Sequence, residues 1–115
     1  MVVRLKEEQH ILFAYGSLIE PEVQEMLFGK KLDNKGKAIL ENWQKYNHED
    51  YPFISPLDGA RVEGVLFVLT HQQLGIADKW EEIPVEYQRE LLLVDLGQGM
   101  TQQAWVYTKR KKYLK

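Results

Sequence analysis

The strongest candidate for acid–base chemistry in this sequence is a glutamate at the end of a predicted helix. Glu81 follows Leu74 by seven residues and Ala77 by four, so at about 100° per residue it points within about 20° of Leu74. A carboxylate among apolar side chains has a raised pKa and becomes a base or acid near neutral pH. The alternative is that the helix frays after Trp80 and Glu81 reaches water, as most helix glutamates do. Glu82 is a rival carboxylate, directed about 100° away.

The second candidate is a loop whose backbone could bind an anion. Residues 11–15 form an unbroken apolar run, which is typical of a strand buried on both faces. Gly16 then permits a turn that a residue with a Cβ would resist, and successive N–H groups after such a turn can form a concave anion site. Ser17 lacks the Gly-x-Ser-x-Gly setting of a nucleophile. Glu20, three residues later, favours a helix cap or a loop hydrogen bond for Ser17.

Metal ligands are sparse in this sequence. His10, His48 and His71 are scattered, and the chain contains no cysteine. The absence of cysteine excludes disulfides, thiolate catalysis and cysteine–zinc sites. One histidine adjoins carboxylates, and a solvated loop explains that cluster better than a metal site does: His48-Glu49-Asp50. The sequence therefore predicts no metal.

Length and charge limit the class of protein. The 115 residues suit a single domain spanning residues 1–115, with a core at about 10–108 and a basic tail at 109–115. The net charge of −2 gives no basic footprint for nucleic acid over the domain. No apolar run approaches the roughly 20 residues of a membrane span, and residues 1–10 lack the apolar core of a signal peptide. We therefore expect a cytoplasmic protein that binds neither membrane nor nucleic acid.

The elements that must position these groups begin with a strand at about residues 10–15. Proline and acidic residues then open a short helix, in which Val23, Met26 and Leu27 share the side expected to be buried, and Gly29 stops it. Residues 35–46 read as a strand and residues 47–56 as a polar loop. A turn is expected at Asp58-Gly59.

The second half of the chain has clearer signals. Residues 61–69 predict a strong strand, in which Gly64 indicates a bulge or a close approach to the backbone. Thr70 and Gln73 have the form of a capping box for a helix that ends at Ile83-Pro84. Residues 87–96 and 103–108 predict a hairpin around a glycine-rich turn. The fold class is α+β, with a small, mixed, barrel-like sheet and two short helices.

Five segments in order make the chain resemble the γ-glutamylcyclotransferase-like family, which includes γ-glutamylamine cyclotransferases and the plant AIG2-like proteins. The resemblance covers about residues 10–108. The segments resemble the family's Tyr-Gly-Ser-Leu loop, its Tyr-Pro loop and glycine-containing strand, its Asp-x-x-Glu segment, its Tyr-x-Arg segment and its last strand. In this chain they are Phe13-Ala14-Tyr15-Gly16-Ser17-Leu18, Tyr51-Pro52 with Val62-Glu63-Gly64-Val65-Leu66-Phe67, Asp78-Lys79-Trp80-Glu81, Tyr87-Gln88-Arg89 and Ala104-Trp105-Val106-Tyr107.

The resemblance implies an enzyme that releases 5-oxoproline and a free amine from a γ-glutamyl amine or peptide, with no metal or organic cofactor. The substrate's own α-amine attacks its γ-carbonyl, so one base is needed, and the family glutamate corresponds to Glu81. The family loop implies substrate binding by Tyr15, Gly16, Ser17 and Leu18, whose backbone N–H groups would hold the α-carboxylate and polarise the carbonyl. Pocket walls are expected from Tyr87 and Tyr107.

One residue departs from the family pattern. Members usually have glycine directly after the catalytic glutamate, whereas this chain has Glu82. A second carboxylate there would raise the pKa of the base, crowd the pocket or alter the preference for the leaving amine. The alternative function is therefore a non-catalytic relative that binds a γ-glutamyl-like small molecule.

Overall fold

The predicted strands close into a small barrel in the computed structural model, which describes residues 8–48, 51–81 and 87–109. The described elements, in chain order, are β1 Gln9–Ala14, α1 Pro21–Phe28, β2 Asp33–His48, β3 Tyr51–Thr70, α2 His71–Trp80, β4 Tyr87–Gly97 and β5 Met100–Lys109. A 3-10 turn, Ser17–Ile19, joins β1 to α1. The predicted α+β class is confirmed. No helix of these ranges is long and apolar enough to cross a membrane.

Strand β1 is central because it pairs on both sides. It lies antiparallel to β3 and parallel to β5, and the parallel pair closes the barrel in the order β1-β3-β2-β4-β5. Ile11 and Phe13 point into the barrel, while Leu12 and Ala14 lie in the outer apolar layer, which includes residues of both helices. All four are at most 4% exposed. The unbroken apolar run thus predicts burial on both faces correctly.

Gly64 on β3 lets β1 pass close to it. A Cβ added at Gly64 would lie 2.5 Å from Phe13 Cζ and 2.6 Å from the carbonyl oxygen of Ala14. Both distances are far shorter than a carbon contact allows, since non-bonded carbons prefer about 3.5–4.0 Å. The predicted close approach at this glycine is confirmed.

The polar loop predicted at residues 47–56 is wrong, because β3 already begins at Tyr51. Strands β2 and β3 form one long hairpin, in which Tyr46 pairs with Phe53 and stacks on its ring at 5.4 Å. The expected turn at Asp58-Gly59 is a bulge inside this hairpin. There Gly59 has a φ of +84° and its N–H donates to Asn42 Oδ1 at 3.1 Å.

Helix α1 packs through most of its predicted apolar side. Val23 and Leu27 pack on the outer apolar layer as expected, but Met26 is 63% exposed. The helix ends at Gly29 as expected, with a φ of +73° there. The inward position belongs to Gln24, which is 3% exposed and donates to the carbonyl of Leu18 at 2.7 Å. Its side-chain oxygen accepts from the N–H of Leu32 at 2.9 Å. A polar residue therefore holds the chain on both sides of the helix.

Helix α2 begins where the capping box predicts. The Gln73 N–H donates to Thr70 Oγ1 at 3.1 Å, and the Thr70 N–H donates to Gln73 Oε1 at 2.9 Å. The helix ends at Trp80, and the predicted end at Ile83-Pro84 lies outside the described residues. The helix therefore ends earlier than the sequence predicts, and Glu81 is its C-cap residue.

Candidate active site

Glu81 sits at the C-terminal cap of α2 and remains tied to the helix. Its N–H donates to the carbonyl of Ala77 at 2.9 Å, and Leu74 and Ala77 beside it are 3% and 0% exposed. Burial raises the pKa of the partly buried Glu81 carboxyl from 4.5 to about 7. Within residues 8–48, 51–81 and 87–109 no side chain pairs with this carboxylate or donates a hydrogen bond to it. The geometry therefore suits a base or acid near neutral pH.

Three tyrosines surround this end of α2. Tyr15 donates its hydroxyl to the carbonyl of Tyr107 at 2.5 Å, and Tyr87 donates to the carbonyl of Pro52 at 2.7 Å. Burial, followed by the neighbouring Tyr87 and Glu81, raises the pKa of Tyr15 above its usual value. Burial also raises the pKa of Tyr107, with its hydrogen bond to an aspartate adding to the effect. Both phenols therefore stay neutral and donate hydrogen bonds.

The predicted substrate loop lies next to the cap of α2. The Trp80 indole Nε1 donates to Ser17 Oγ at 3.0 Å, which ties the loop to the residue before Glu81. The Ile19 N–H donates to the carbonyl of Gly16 at 3.1 Å and closes the 3-10 turn. No acceptor among the described residues is bound by the N–H groups of residues 16–18, so these donors are available to a ligand.

The structure gives a reason for glycine at position 16 and decides between the two predicted roles of Ser17. Gly16 has a φ of −129°, which lies outside the left-handed region. Glycine is favoured there because an added Cβ would lie 3.1 Å from Pro52 Cγ. Ser17 does not cap α1: Glu20 occupies the N-cap position, and no side chain bonds there. The loop hydrogen bond of Ser17, the other predicted role, is the one to Trp80.

Sequence reasoning left Asp78 and Arg89 without a role, although both lie in segments that resemble the family. Arg89 Nε donates to Asp78 Oδ1 at 2.7 Å and Arg89 Nη2 to Asp78 Oδ2 at 3.0 Å. Tyr107 donates its hydroxyl to Asp78 Oδ1 at 2.7 Å. The Asp-x-x-Glu and Tyr-x-Arg segments are thus joined by a two-bond ion pair. The sequence did contain a signal for this contact. Asp78 precedes the candidate base by one helical turn, and Arg89 and Tyr107 lie on the strands that follow.

The histidines are less scattered than the sequence suggests. His10 Nε2 and His71 Nδ1 lie 3.3 Å apart, at the starts of β1 and α2. Burial, then the neighbouring His71, lowers the pKa of His10. In the described part of the chain no three His, Asp or Glu residues converge as metal ligands. The cluster His48-Glu49-Asp50 lies outside the described side chains, as does Glu82.

The sequence of this chain is similar to those of known proteins. Residues 12–115 match the family model "Gamma-glutamyl cyclotransferase, AIG2-like". AIG2-like protein D of Arabidopsis thaliana is 32% identical over 108 residues, with 88% of this chain and 69% of that protein covered. AIG2-like protein C of the same plant is 33% identical over 102 residues, with 84% of this chain and 58% of that protein covered. The chain thus spans between half and three quarters of these relatives.

A solved structure described as a γ-glutamyl cyclotransferase has the same fold, with a TM-score of 0.78 over 90% of this chain and 68% of that chain. Its sequence identity of 17% supports likeness of fold alone. The family match covers nearly the whole chain and contains all the candidate site residues: Tyr15, Gly16, Ser17, Leu18, Glu81, Tyr87 and Tyr107. This chain belongs to the γ-glutamyl cyclotransferase, AIG2-like family.

Proposed function

We propose that this protein releases 5-oxoproline and a free amine from a γ-glutamyl amine or peptide, with Glu81 as general base and then general acid. The observation that carries the proposal is the partly buried Glu81 carboxylate, whose pKa is raised to about 7 beside a loop with unused N–H groups. The description of the matched family supports the same reaction class. A group that titrates near neutral pH can both take a proton and return it.

The reaction moves two protons from the substrate's α-nitrogen to the leaving nitrogen. The α-ammonium gives its first proton to the Glu81 carboxylate, and the freed amine attacks the γ-carbonyl carbon of the same molecule to form a five-membered ring. Glu81 gives that proton to the leaving nitrogen, and the bond from this nitrogen to the former γ-carbonyl carbon breaks. The second proton passes from the ring nitrogen through Glu81 to the released amine, so the products are the neutral lactam 5-oxoproline and an ammonium. Because the attack is intramolecular, holding the chain in a folded geometry supplies much of the acceleration.

The loop after β1 is suited to the negative charges of this reaction. The N–H groups of residues 16–18 could hold the α-carboxylate and the oxygen of the tetrahedral intermediate, where developing charge is stabilised most strongly in a site with little water. Tyr15, Tyr87 and Tyr107 would form the walls. Tyr87 also fixes Pro52, which packs on Gly16, so the loop is held from both sides.

The alternative is a protein that binds a γ-glutamyl-like molecule without turning it over. Glu82, where the family usually has glycine, motivates this alternative. Loss of turnover with retained binding is its distinguishing property. A bound ligand stabilises the folded state in proportion to its occupancy, so thermal unfolding detects it without product.

The test is 5-oxoproline release from a panel of γ-glutamyl amines and dipeptides, with thermal unfolding measured on the same panel. The matched variants are Glu81→Gln and Glu63→Gln, the second removing an exposed carboxylate on β3. We expect release by the original protein and by Glu63→Gln, and a loss of at least about a hundredfold in folded Glu81→Gln. Full activity of folded Glu81→Gln refutes the role of Glu81. Thermal shifts without product support the binding alternative.

A further inference from the structure

Asp78 links three elements at the end of α2 that carries Glu81. Its carboxylate accepts two hydrogen bonds from Arg89 on β4 and one from the Tyr107 hydroxyl on β5, all between 2.7 and 3.0 Å. The side chains of Arg89 and Asp78 are 24% and 22% exposed, so this ion pair is mostly shielded from water. The Arg89 guanidinium also lies over the Trp105 ring, 4.3 Å from its centre. The pair is therefore held in one geometry.

The ion pair lies within reach of the candidate base. Asp78 precedes Glu81 by three residues, and side chains three apart on a helix are neighbours with Cβ atoms about 5–6 Å apart. The charge of Glu81 raises the pKa of Tyr107 and the charge of Arg89 lowers it. Both charged groups therefore lie near the Tyr107 hydroxyl. A free guanidinium near a carboxylate would hold that carboxylate in its charged form. Asp78 instead occupies the Nε–Nη2 edge of Arg89 and balances its charge.

We propose that Asp78 is a positioning residue that holds and neutralises Arg89, so that the Glu81 carboxylate has no cationic partner among the residues that the structure describes. The importance of Asp78 for turnover rests on the proposed function. Its effect on the protonation of Glu81 does not, because that effect needs only the arrangement of three charges. Burial is the cause of the raised pKa of Glu81, and no attraction to a cation opposes it in the described part of the chain.

Among the described residues, three tyrosines lie around Glu81: Tyr15 after β1, Tyr87 on β4 and Tyr107 on β5. Burial raises the pKa of Tyr15 and of Tyr107, so neither carries a charge near neutral pH. Glu82 follows Glu81 directly and lies outside the described residues. Glu82 is present in every variant compared below, so its influence on the pKa of Glu81 cancels when the variants are compared. Arg89 and Asp78 are then the two charges whose removal distinguishes the proposal from a structural role.

Removing each charge of the pair should move the titration of Glu81 in opposite directions. Asp78→Asn leaves an uncompensated guanidinium, which should lower the pKa of Glu81 by about one unit or more. Arg89→Gln leaves an uncompensated carboxylate, which should raise it. The double variant Asp78→Asn/Arg89→Gln removes both charges, and its Glu81 pKa should return to within about half a unit of the original value. A structural role alone predicts no such reversal of sign.

The primary readout is the titration of the Glu81 side-chain carboxyl carbon by NMR, in ¹³C-labelled protein, with Glu81→Gln identifying the signal. Folding of each variant is checked by its amide spectrum. Opposite displacements in the two single variants support the proposal. Displacements in the same direction, or none in any folded variant, overturn it. If one single variant does not fold, the sign in the other, together with the double variant, still decides the outcome.

The secondary readout is the acidic limb of kcat/KM for 5-oxoproline release. It should move to lower pH in Asp78→Asn by about one unit, a tenfold change in the proton-binding constant, and back in the double variant. An unmoved limb with uniformly reduced kcat/KM contradicts the proposal. Silence of the unchanged protein in this assay contradicts the proposed function instead, because the NMR titration is measured without turnover.

Discussion

Replacing Glu81 by glutamine should stabilise this protein at neutral and alkaline pH. Burial raises the pKa of Glu81 from 4.5 to about 7. Each pKa unit corresponds to about 1.4 kcal/mol, so keeping Glu81 ionised costs the folded state about 3 kcal/mol. Glutamine has nearly the same shape but never carries the charge. The buried charge of Glu81 thus lowers the free energy of unfolding at neutral pH.

The sign of the pH dependence follows from the direction of the pKa change. The folded state binds the Glu81 proton more tightly than the unfolded state, so the stability that the protonated carboxyl provides is complete below pH 4.5. It is lost as the pH rises and is gone above about pH 7. We therefore expect Glu81→Gln to match the original protein near pH 4. It should be about 2 kcal/mol more stable near pH 6 and about 3 kcal/mol more stable near pH 8.

Urea denaturation at about these three pH values measures the difference, because other titrating groups affect both proteins alike. Glu63→Gln, which removes an exposed carboxylate, is the control and should change stability by less than about 0.5 kcal/mol throughout. A Glu81→Gln difference that does not grow with pH would show that Glu81 titrates normally. A variant less stable than the original protein at pH 8 would refute the burial of its charge.

Three further predictions concern packing and caps, each measured by urea denaturation. Gly64→Ala should destabilise the protein by about 2 kcal/mol or more because its Cβ would clash with Phe13, whereas Gly75→Ala on α2, with nothing within 4 Å, should stabilise it by about 0.5–1 kcal/mol. Equal effects of the two would contradict the close approach of β1. Gln24→Leu leaves a buried carbonyl and N–H without partners and should cost about 2 kcal/mol or more. A neutral result there would mean that water replaces the glutamine. Thr70→Ala removes the capping-box acceptor and should cost about 1 kcal/mol, and an unchanged midpoint would show that α2 does not depend on this cap.

Local sequence signals predicted the elements that carry the candidate site. The apolar run at residues 11–14 predicts a strand covered on both faces, and the structure places it between the barrel interior and the helices. The Thr70 and Gln73 pair fixes the start of α2. Helical spacing from there directs Glu81 toward the apolar side. These predictions succeed because each depends on residues within one or two turns of each other.

The failures concern contacts between residues far apart in sequence. Proline and polar residues suggested a loop at 47–56, yet the pairing of Tyr46 with Phe53 continues the hairpin beyond its bulge. Likewise, no period or spacing brings Asp78 to Arg89 and Tyr107, which follow it by 11 and 29 residues. Such partners are selected by the closure of the barrel, which a local pattern does not contain.

The most direct test of the account compares two titrations of the same protein: the Glu81 side-chain carboxyl by NMR, and kcat/KM for 5-oxoproline release from the best γ-glutamyl substrate of the panel. A base must be ionised to accept the substrate's proton, so activity should fall about tenfold per pH unit below the pKa of Glu81. We predict that both midpoints coincide near pH 7, as the buried carboxyl requires. A carboxyl that titrates near 4.5, or activity that stays level through pH 6, would contradict Glu81 as the base.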